Sequence, residues 1–471
     1  MILLINPPYY IDNIFRKSLT KVGALLPPLG LAYIAAVLEK NNYDVKIIDG
    51  PALSVREGYG FNDLKNDIKK YNPDLVGITA TTPQFIFAKS TAEAVKEINP
   101  DVPIVLGGAH ISCLPEKTMS EIREIDFGVI GEGENTFLEL VRKIQQKTDG
   151  TVNGTIYRED GTIKLSPPRE FIENIDSIPY PAWHLLPMDL YRPSPLNYRR
   201  LPATAIMTSR GCPYRCAYCS KPIHRSKFRA HSPERVVGEI EYLINNFGIK
   251  DIQIFDDTFT MDNARAEKIC DLIIDKDIDI VWNCMTRADK VTKHLLNKMK
   301  KAGCYGIGFG VESGNPHILK RISKGVGMDQ IRKAFAWTKE EKIQTRAFFM
   351  IGFPGENEET INDSLNFAKE LDPTALQLMV ATPYPGTPLW ELAQQEGTLN
   401  IKDWTNFTFY APKEVPYVPE GMEQEQMLEM YSKAYKSFYL RPSFLLKRVL
   451  EIKSFGDINR YFMAMRAVIG M

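Results

Sequence analysis

Cysteine is scarce in this chain. Seven occur in 471 residues, a sparse and odd set that excludes a disulfide framework of the kind that staples small secreted domains. Net charge is absent too. Fifty-eight Lys and Arg balance 58 Asp and Glu, so there is no general electrostatic footprint for nucleic acid and none is expected as a partner. No apolar run reaches the roughly 18 residues that a membrane helix needs, and no transmembrane segment is expected. The opening Met1-Ile2-Leu3-Leu4-Ile5-Asn6-Pro7-Pro8 lacks the basic region and cleavage site of a signal peptide. The expected location is the cytoplasm, where thiols stay reduced. Hydrophobic residues at 44% and charged residues at 25% are ordinary for a folded protein, and the length implies more than one domain.

The few cysteines are concentrated. Cys212, Cys216 and Cys219 stand in Gly211-Cys212-Pro213-Tyr214-Arg215-Cys216-Ala217-Tyr218-Cys219-Ser220, a C-x3-C-x2-C spacing with no fourth cysteine close by. Thiolates hold iron–sulfur clusters, and a closed cubane takes four. Three leave one iron free to bind something else, which is the arrangement of a cluster that does chemistry. Zinc is the rival metal, but its closed sites want four N/S ligands, often as paired knuckles, and a second pair would have to come from scattered cysteines. Cys113, Cys270, Cys284 and Cys304 are read as buried small hydrophobes. The spacing, with an aromatic Tyr218 before the third cysteine, resembles the radical S-adenosylmethionine (SAM) superfamily.

Residues 1–145 alternate short apolar strands with helical stretches, the pattern of a parallel sheet. Strands are expected at Met1–Ile5, Asp44–Ile48, Leu75–Thr79, Pro103–Leu106 and Phe127–Ile130, with helices such as Leu29–Lys40 and Phe87–Ile98 between them. Such strands make a doubly wound α/β domain, which binds ligands at the carboxyl ends of its strands. The loops there are Pro7-Pro8, Thr79-Ala80-Thr81-Thr82, Gly107-Gly108-Ala109-His110 and Gly131-Glu132-Gly133-Glu134. Their glycines let backbone approach a ligand closely. With Pro27-Pro28-Leu29-Gly30-Leu31, they resemble the cobalamin-binding domain that precedes the radical SAM domain in a large family. That family includes the anaerobic magnesium-protoporphyrin monomethyl ester cyclase and many C-methyltransferases. The resemblance implies cobalamin contacts from Pro8, Thr79, Gly107, Gly108, His110, Gly131 and Glu132; for His110 the alternative is hydrogen-bonded structure. One departure stands out. The Asp-x-His-x-x-Gly signature, whose His ligates cobalt in many B12 enzymes, surrounds none of the six histidines. Cobalamin would then lack a histidine lower ligand, or the domain is a relic that binds none.

Residues 146–198 read as a connector. Thr155–Arg158 and Thr162–Leu165 flank Glu159-Asp160-Gly161 as a hairpin. Ile178-Pro179-Tyr180-Pro181-Ala182-Trp183 and Arg192-Pro193-Ser194-Pro195 are too rich in proline for a long helix. Residues 199–410 carry a second βα series. Its strands are expected at Ala203–Thr208, Asp251–Phe255, Ile280–Asn283, Gly306–Val311, Arg346–Ile351 and Leu376–Ala381, with helices such as Pro233–Asn246 and Ala264–Ile274. Ser232 before Pro233 is an ordinary helix start. By resemblance, this series is the partial (β/α)6 barrel of radical SAM enzymes. In such barrels function sits on loops after the strands, and the cysteines follow the first strand as that rule requires. SAM is a zwitterion with a ribose, so it needs cations, acceptors and hydroxyl partners. Asp256, Glu312, Ser313 and Arg346 supply those types. Glu312-Ser313-Gly314 and Gly352-Phe353-Pro354-Gly355-Glu356 match the superfamily's SAM-contacting segments. The alternative is that these carboxylates pair with arginines or cap helices. Tyr218 is expected to shield the cluster or stack near adenine, with plain packing as its alternative. Asp257 is a candidate for substrate positioning. Residues 411–471 read as a helical extension, with a helix over Glu423–Lys436 broken at Phe438-Tyr439-Leu440-Arg441-Pro442. Its basic, aromatic tail packs on the barrel mouth or touches lipid.

The resemblance covers nearly the whole chain in family order. It implies an enzyme with a [4Fe–4S] cluster on Cys212, Cys216 and Cys219. SAM would chelate the open iron and, on reduction, break to methionine and a 5′-deoxyadenosyl radical. That radical would take hydrogen from an unactivated carbon, and methylcobalamin would deliver a methyl group. The cofactors carry the hard chemistry while the protein positions them. A ferredoxin or flavodoxin electron donor and a small-molecule or lipid-like substrate are expected partners. Trp183, Tyr384, Trp390 and Trp404 either line an apolar pocket or belong to the core. The same loops serve an oxidative cyclase or a C–C coupling enzyme, because fold does not fix chemistry. A third reading is a non-catalytic iron–sulfur redox or sensor protein, which would need a fourth ligand such as Cys304.

Overall fold

The computed structural model describes residues 1–9, 25–194, 197–396, 399–401, 403–408 and 414–450. Strands β1 (Ile2–Asn6), β2 (Val45–Asp49), β3 (Leu75–Thr79), β4 (Ile104–Gly107) and β5 (Phe127–Val129) lie parallel in the order β2-β1-β3-β4-β5. Alternate residues of β1 serve opposite faces, as the two-residue period of a strand requires. Leu3 and Ile5 pack with helices Phe61–Tyr71 and Phe85–Ile98, while Ile2 and Leu4 pack with helices Leu29–Lys40 and Glu134–Gln146. Both faces are covered, so the strands are nearly all apolar. The winding direction reverses between β1 and β3, which opens a crevice over their carboxyl ends.

The hairpin expected in the connector forms as β6 (Thr155–Glu159) and β7 (Thr162–Leu165), but it is no tether. It pairs antiparallel with β5 and extends the first sheet to the order β2-β1-β3-β4-β5-β6-β7. The edge of β5 offers unpaired backbone groups, and Ile156 on β6 is fully buried in the core below it.

Strands β8 (Ala203–Ile206), β11 (Asp251–Ile254), β12 (Val281–Thr286), β13 (Cys304–Glu312), β14 (Gln344–Ile351) and β15 (Ala375–Val380) form a second sheet, all parallel and in chain order. Among the described residues β8 and β15 do not pair, so the sheet is an open arc, a partial (β/α)6 barrel. Two short strands, β9 (Ser209–Arg210) and β10 (Arg229–Ala230), form a separate antiparallel pair at its mouth. Ser232 starts the helix Pro233–Phe247 by accepting from the Arg235 N–H at 3.2 Å. Among the described residues no helix is long and apolar enough to cross a membrane. Pro195 of the connector, residues 409–413 at the boundary read near 410, and residues 451–471 of the C-terminal extension lie outside the described residues.

The open edge of the arc is capped by a helix rather than a strand. Helix Gln424–Tyr439 carries Tyr431, Tyr435 and Tyr439 four residues apart on one face. The Tyr435 hydroxyl accepts from Leu378 N–H at 3.1 Å and donates to Leu378 O at 3.0 Å. The Tyr439 hydroxyl does the same at Leu376, at 3.0 and 2.7 Å. Each hydroxyl stands in for one residue of a missing neighbour strand, which blunts an edge that would otherwise template association. Tyr435→Phe should therefore leave the buried Leu378 N–H of β15 unpaired, while its carbonyl keeps the Tyr431 hydroxyl at 3.3 Å. The expected loss is about 1–3 kcal/mol in urea denaturation; a loss below about 0.5 kcal/mol would contradict the capping role.

Candidate active site between the two sheets

The cysteine loop is closed at its base by the β9–β10 pair, in which Arg210 faces Arg229 and Ser209 faces Ala230. Asp256, at the end of β11, is fully buried and anchors the first foot. Its carboxylate accepts from Thr208 N and Oγ1, both at 2.6 Å, and from Ser209 N at 3.0 Å and Ser209 Oγ at 2.6 Å. Those bonds occupy both oxygens, so Asp256 holds the loop rather than SAM. Arg265 links both feet, donating to Thr208 O and His231 O at 2.7 Å each. Within the loop, Lys221 Nζ donates to Cys212 O at 3.0 Å and also to Tyr214 O. The Arg287 guanidinium lies 3.5 Å from the Tyr214 ring centroid. Sequence reasoning gave no role to Arg265, Lys221 and Tyr214, which act through backbone carbonyls and a ring and carry no spacing signal; Arg287 is legible only as a polar residue after the third barrel strand.

Cys212 is buried, and Cys216 and Cys219 are half-buried. Burial pushes the Cys219 thiol up to about 12, and the charge of Asp257 and the neighbouring Cys216 and Cys212 push it the same way. All three carry the sulfur that ligates iron as thiolate. Three such donors on one clamped loop fit an iron–sulfur cluster. Cys270, Cys284 and Cys304 are buried as expected; Cys113 is not, being half-buried with its thiol bonded to Ser220 beside the loop.

The end of β13 faces this loop. Glu312, in the left-handed region at φ 73°, sets Oε1 2.8 Å from Lys324 Nζ. Lys324 also reaches the Tyr218 hydroxyl at 3.3 Å. The second oxygen, Oε2, is buried without a partner, so it offers an acceptor beside the cysteines. A Cβ at Gly310 would stand 2.5 Å from Glu312 Oε1 and 2.7 Å from Lys324 Nζ, which explains the glycine there. The Tyr218 ring packs on Phe353, centroids 5.5 Å apart. Glu356 accepts from Gly352 N at 2.7 Å and Phe353 N at 2.9 Å through one oxygen, while the other is buried and unpartnered.

Two expected SAM contacts have other partners close by. Ser313 Oγ lies 3.1 Å from Ser364 Oγ and accepts from Asn315 N at 3.1 Å, so it ties the strand end to helix Glu358–Leu371. Arg346 is the third residue of β14 and lies beside Phe348 and Tyr305. It is five residues short of the strand's carboxyl end, about 16 Å at ~3.3 Å per residue. Its charge therefore belongs to the far end of the barrel.

On the first domain, the loops after β3 and β4 are laced together. Ala80 N donates to Gly107 O at 3.1 Å and His110 N to Ala80 O at 3.2 Å. Gly108 has φ 105°, and a Cβ there would lie 2.5 Å from Ala80 O and 3.1 Å from Thr79 Oγ1. A Cβ on Gly107 would meet nothing within 4 Å, and one on Gly131 only Ile223 O of the barrel at 3.8 Å. Gly107 and Gly131 thus leave open space at the strand ends, which fits the close approach of a ligand, while Gly108 is needed to pack against Ala80. Pro8 is buried against Gly50 and shapes the loop. His110 is buried, with Nδ1 3.3 Å from Thr82 Oγ1 and its ring 4.3 Å from Phe85 and 5.0 Å from Trp404. Burial, with Lys117 adding, pushes it down to about 4, so it is a neutral packed ring, which favours the structural alternative. Trp183 is core, while Trp390 and Trp404 stack at 6.2 Å and lie against Phe407.

Glu132 likewise has other partners. Its Oε1 accepts from Arg210 at 2.9 Å and lies 3.2 Å from His224 Nδ1; its Oε2 accepts from Arg229 at 2.8 Å and Ile172 N at 3.2 Å. Glu134 takes the other arm of Arg210 at 2.6 Å. Burial alone would raise the Glu132 carboxyl, but His224, Arg229 and Arg210 together hold it well below the usual range. Both oxygens are engaged, and Glu132 joins the domains.

The Glu356 carboxyl gives this site a pH signature. Burial pushes it up to about 7, against the pull of its two backbone N–H donors. The folded state then keeps a proton that the unfolded chain, titrating near 4.5, has already released. Stability should fall as pH rises from about 4.5 to about 7 and level off above, by linkage. Thermal midpoints of the wild type and Glu356→Gln across that window should show this slope in the wild type and a shallower one in the variant. Parallel curves would contradict the assignment.

Residues 16–141 match the B12 binding domain, and residues 206–368 match the Radical SAM superfamily. An uncharacterized methyltransferase of Pyrococcus horikoshii is 40% identical over 456 residues, 96% of this chain and 95% of that protein. The anaerobic magnesium-protoporphyrin IX monomethyl ester cyclase of Rubrivivax gelatinosus is 28% identical over 453 residues, 94% of this chain and 78% of that one. Among solved structures, the radical SAM methyltransferase TsrM from Kitasatospora setae, with cobalamin and a [4Fe–4S] cluster bound, has a TM-score of 0.71 at 17% identity over 100% of this chain and 99% of that one. That likeness shows the whole-chain fold, a B12-type doubly wound domain followed by a radical SAM barrel. The chain belongs to the radical SAM enzymes that carry a B12-binding domain, a family of methyltransferases and cyclases.

Proposed function

We propose that this chain is a cobalamin-dependent radical SAM methyltransferase acting on an unactivated carbon of a small-molecule or lipid-like substrate. Its parts would be residues 1–145 for cobalamin, 146–198 as connector, 199–410 as the radical SAM domain and 411–471 as a helical extension. The observation that carries the reading is one seam. The glycine loops of the first sheet and the cysteine loop of the second meet through the Gly131–Glu134 loop. When bound, the cofactors would supply a 5′-deoxyadenosyl radical from reduced SAM and a methyl group from cobalamin. Cys212, Cys216 and Cys219 would hold the cluster, and Gly107, Gly108 and Gly131, with Thr79 beside them, would admit the corrin.

The unpartnered oxygen of Glu312 supports a role for it as an acceptor for the amine of SAM. Tyr218, packed on Phe353, would shield the cluster, and Asp257, whose charge acts on Cys219, would position the substrate. A ferredoxin or flavodoxin is the proposed electron donor, and the cytoplasm the proposed location. Methyl transfer is favoured by the relative at 40% identity, which bears a methyltransferase name. Oxidative cyclisation is the second reading, supported by the cyclase relative at 28%.

The test is anaerobic reconstitution with iron, sulfide and hydroxocobalamin, followed by dithionite and SAM. Deoxyadenosine release with about one cobalamin retained per chain is the expected result. Deoxyadenosine without cobalamin would remove methyl transfer and leave a radical enzyme with a relic first domain. A chain that holds a cluster but never cleaves SAM would overturn the enzyme reading. Within this assay, Cys219→Ala should abolish deoxyadenosine. Glu312→Gln should keep the cluster but raise the KM for SAM about tenfold or more, the loss of one charge-assisted bond of about 1.5–3 kcal/mol.

A further inference from the structure

The base of the cysteine loop is a two-pair ladder in which the facing residues are both arginine, Arg210 and Arg229. Isolated two-stranded pairings are marginal in water, and like charges directly opposite each other weaken them further. The side chains are almost fully buried, at 3% and 4% exposure, so water cannot screen the repulsion. The counter-charge comes from the other domain. Glu132 places one carboxylate oxygen on each foot, at 2.9 Å to Arg210 and 2.8 Å to Arg229. Arg210 has a second carboxylate in Glu134 at 2.6 Å. Arg229 donates to Glu132 and the Ile172 carbonyl and lies 4.5 Å from the Phe171 ring centroid, and its Nε and second amino group are buried without hydrogen bonds. Gly211 follows directly, turning sharply at φ 79° into Cys212. Any opening of the feet is therefore transmitted to the first cysteine within two residues.

We propose that Glu132 is a positioning residue for the cluster. It neutralises the two facing arginines and so keeps the cysteine loop shut from the side of the first domain. The proposal rests on the cluster reading given above. It implies that loss of the Glu132 charge loosens the cluster without touching any cysteine, and that removing the orphaned Arg229 charge as well restores it.

The test compares reconstituted full-length wild type, Glu132→Gln and the double variant Glu132→Gln/Arg229→Gln. The readout is the anaerobic rate of iron release to a chromophoric chelator, with circular dichroism as the fold control. E132Q should release iron roughly ten- to a hundredfold faster, the usual effect of losing a partner behind metal ligands. The double variant should return most of the way to the wild-type rate, because Arg210 keeps Glu134; a role in packing alone would not give this recovery. Equal rates for E132Q and wild type, or no recovery in the double variant, would overturn the proposal. Should E132Q fail to fold, the double variant decides, since it buries no unpaired charge. Slow release then supports the proposal, and loss of fold or cluster overturns it. A wild type that takes up no cluster would instead sink the cluster reading itself, and this inference with it.

Discussion

Two arginines facing each other on a short ladder need a shared anion, and in this chain the anion belongs to a different domain. Glu132 meets that need with both carboxylate oxygens, inside a seam that excludes water. Burying charges costs several kcal/mol each, and only good geometry with every partner in place offsets it. The seam satisfies that condition at Arg210, which has two carboxylates and the face of Tyr33 at 5.2 Å. Breaking one partner of such a network typically costs about 3–5 kcal/mol, because a naked charge remains. The docking of the two sheets thus has a buried charge contact at Glu132, beside polar and apolar contacts such as Tyr191 to Asp49 at 2.6 Å and the ring of Trp404 against His110.

The consequence for chemistry is positional. The glycine loops of the first domain carry Gly107, Gly108 and Gly131, and the next residue, Glu132, grips the loop that carries Cys212, Cys216 and Cys219. The glycine loops and the cysteine loop are thus joined through the Gly131–Glu134 segment. The Glu312–Lys324–Tyr218 group lies beside the cysteine loop on the side of β13, and the aromatic pair Trp390 and Trp404 lies near His110. A reaction that hands a radical site on a substrate to a second cofactor needs the two cofactors brought together out of water.

Much of this was legible in the sequence. The cysteine spacing gave the cluster loop, and the two-residue and 3.6-residue periods gave both parallel sheets, with helix Leu29–Lys40 matching its expected bounds. Short strands with Gly or Pro at their ends left little freedom in where the loops fall. What was not legible is which carboxylates face a ligand. Asp256 and Glu132 carry the same chemistry as Glu312 in a linear reading, yet both are saturated by donors from distant segments. Arg346 opens the strand expected over 346–351 and is the third residue of the strand observed, so its place was legible while its partners were not. The hairpin β6–β7 was found, but its attachment to β5 depends on an edge that only the assembled sheet reveals. The arginine pair at 210 and 229 was invisible because its register arises from a loop closure, not from local pattern.

The central claim is that cluster and corrin face each other across the Glu132 seam. Anomalous diffraction at the iron and cobalt absorption edges, from anaerobic crystals of the loaded protein, tests it most directly. The account expects an iron peak against Cys212, Cys216 and Cys219, and a cobalt peak over the ends of β1, β3 and β4, with Glu132 between Arg210 and Arg229. Iron elsewhere, or cobalt bound away from the glycine loops or not at all, would contradict it.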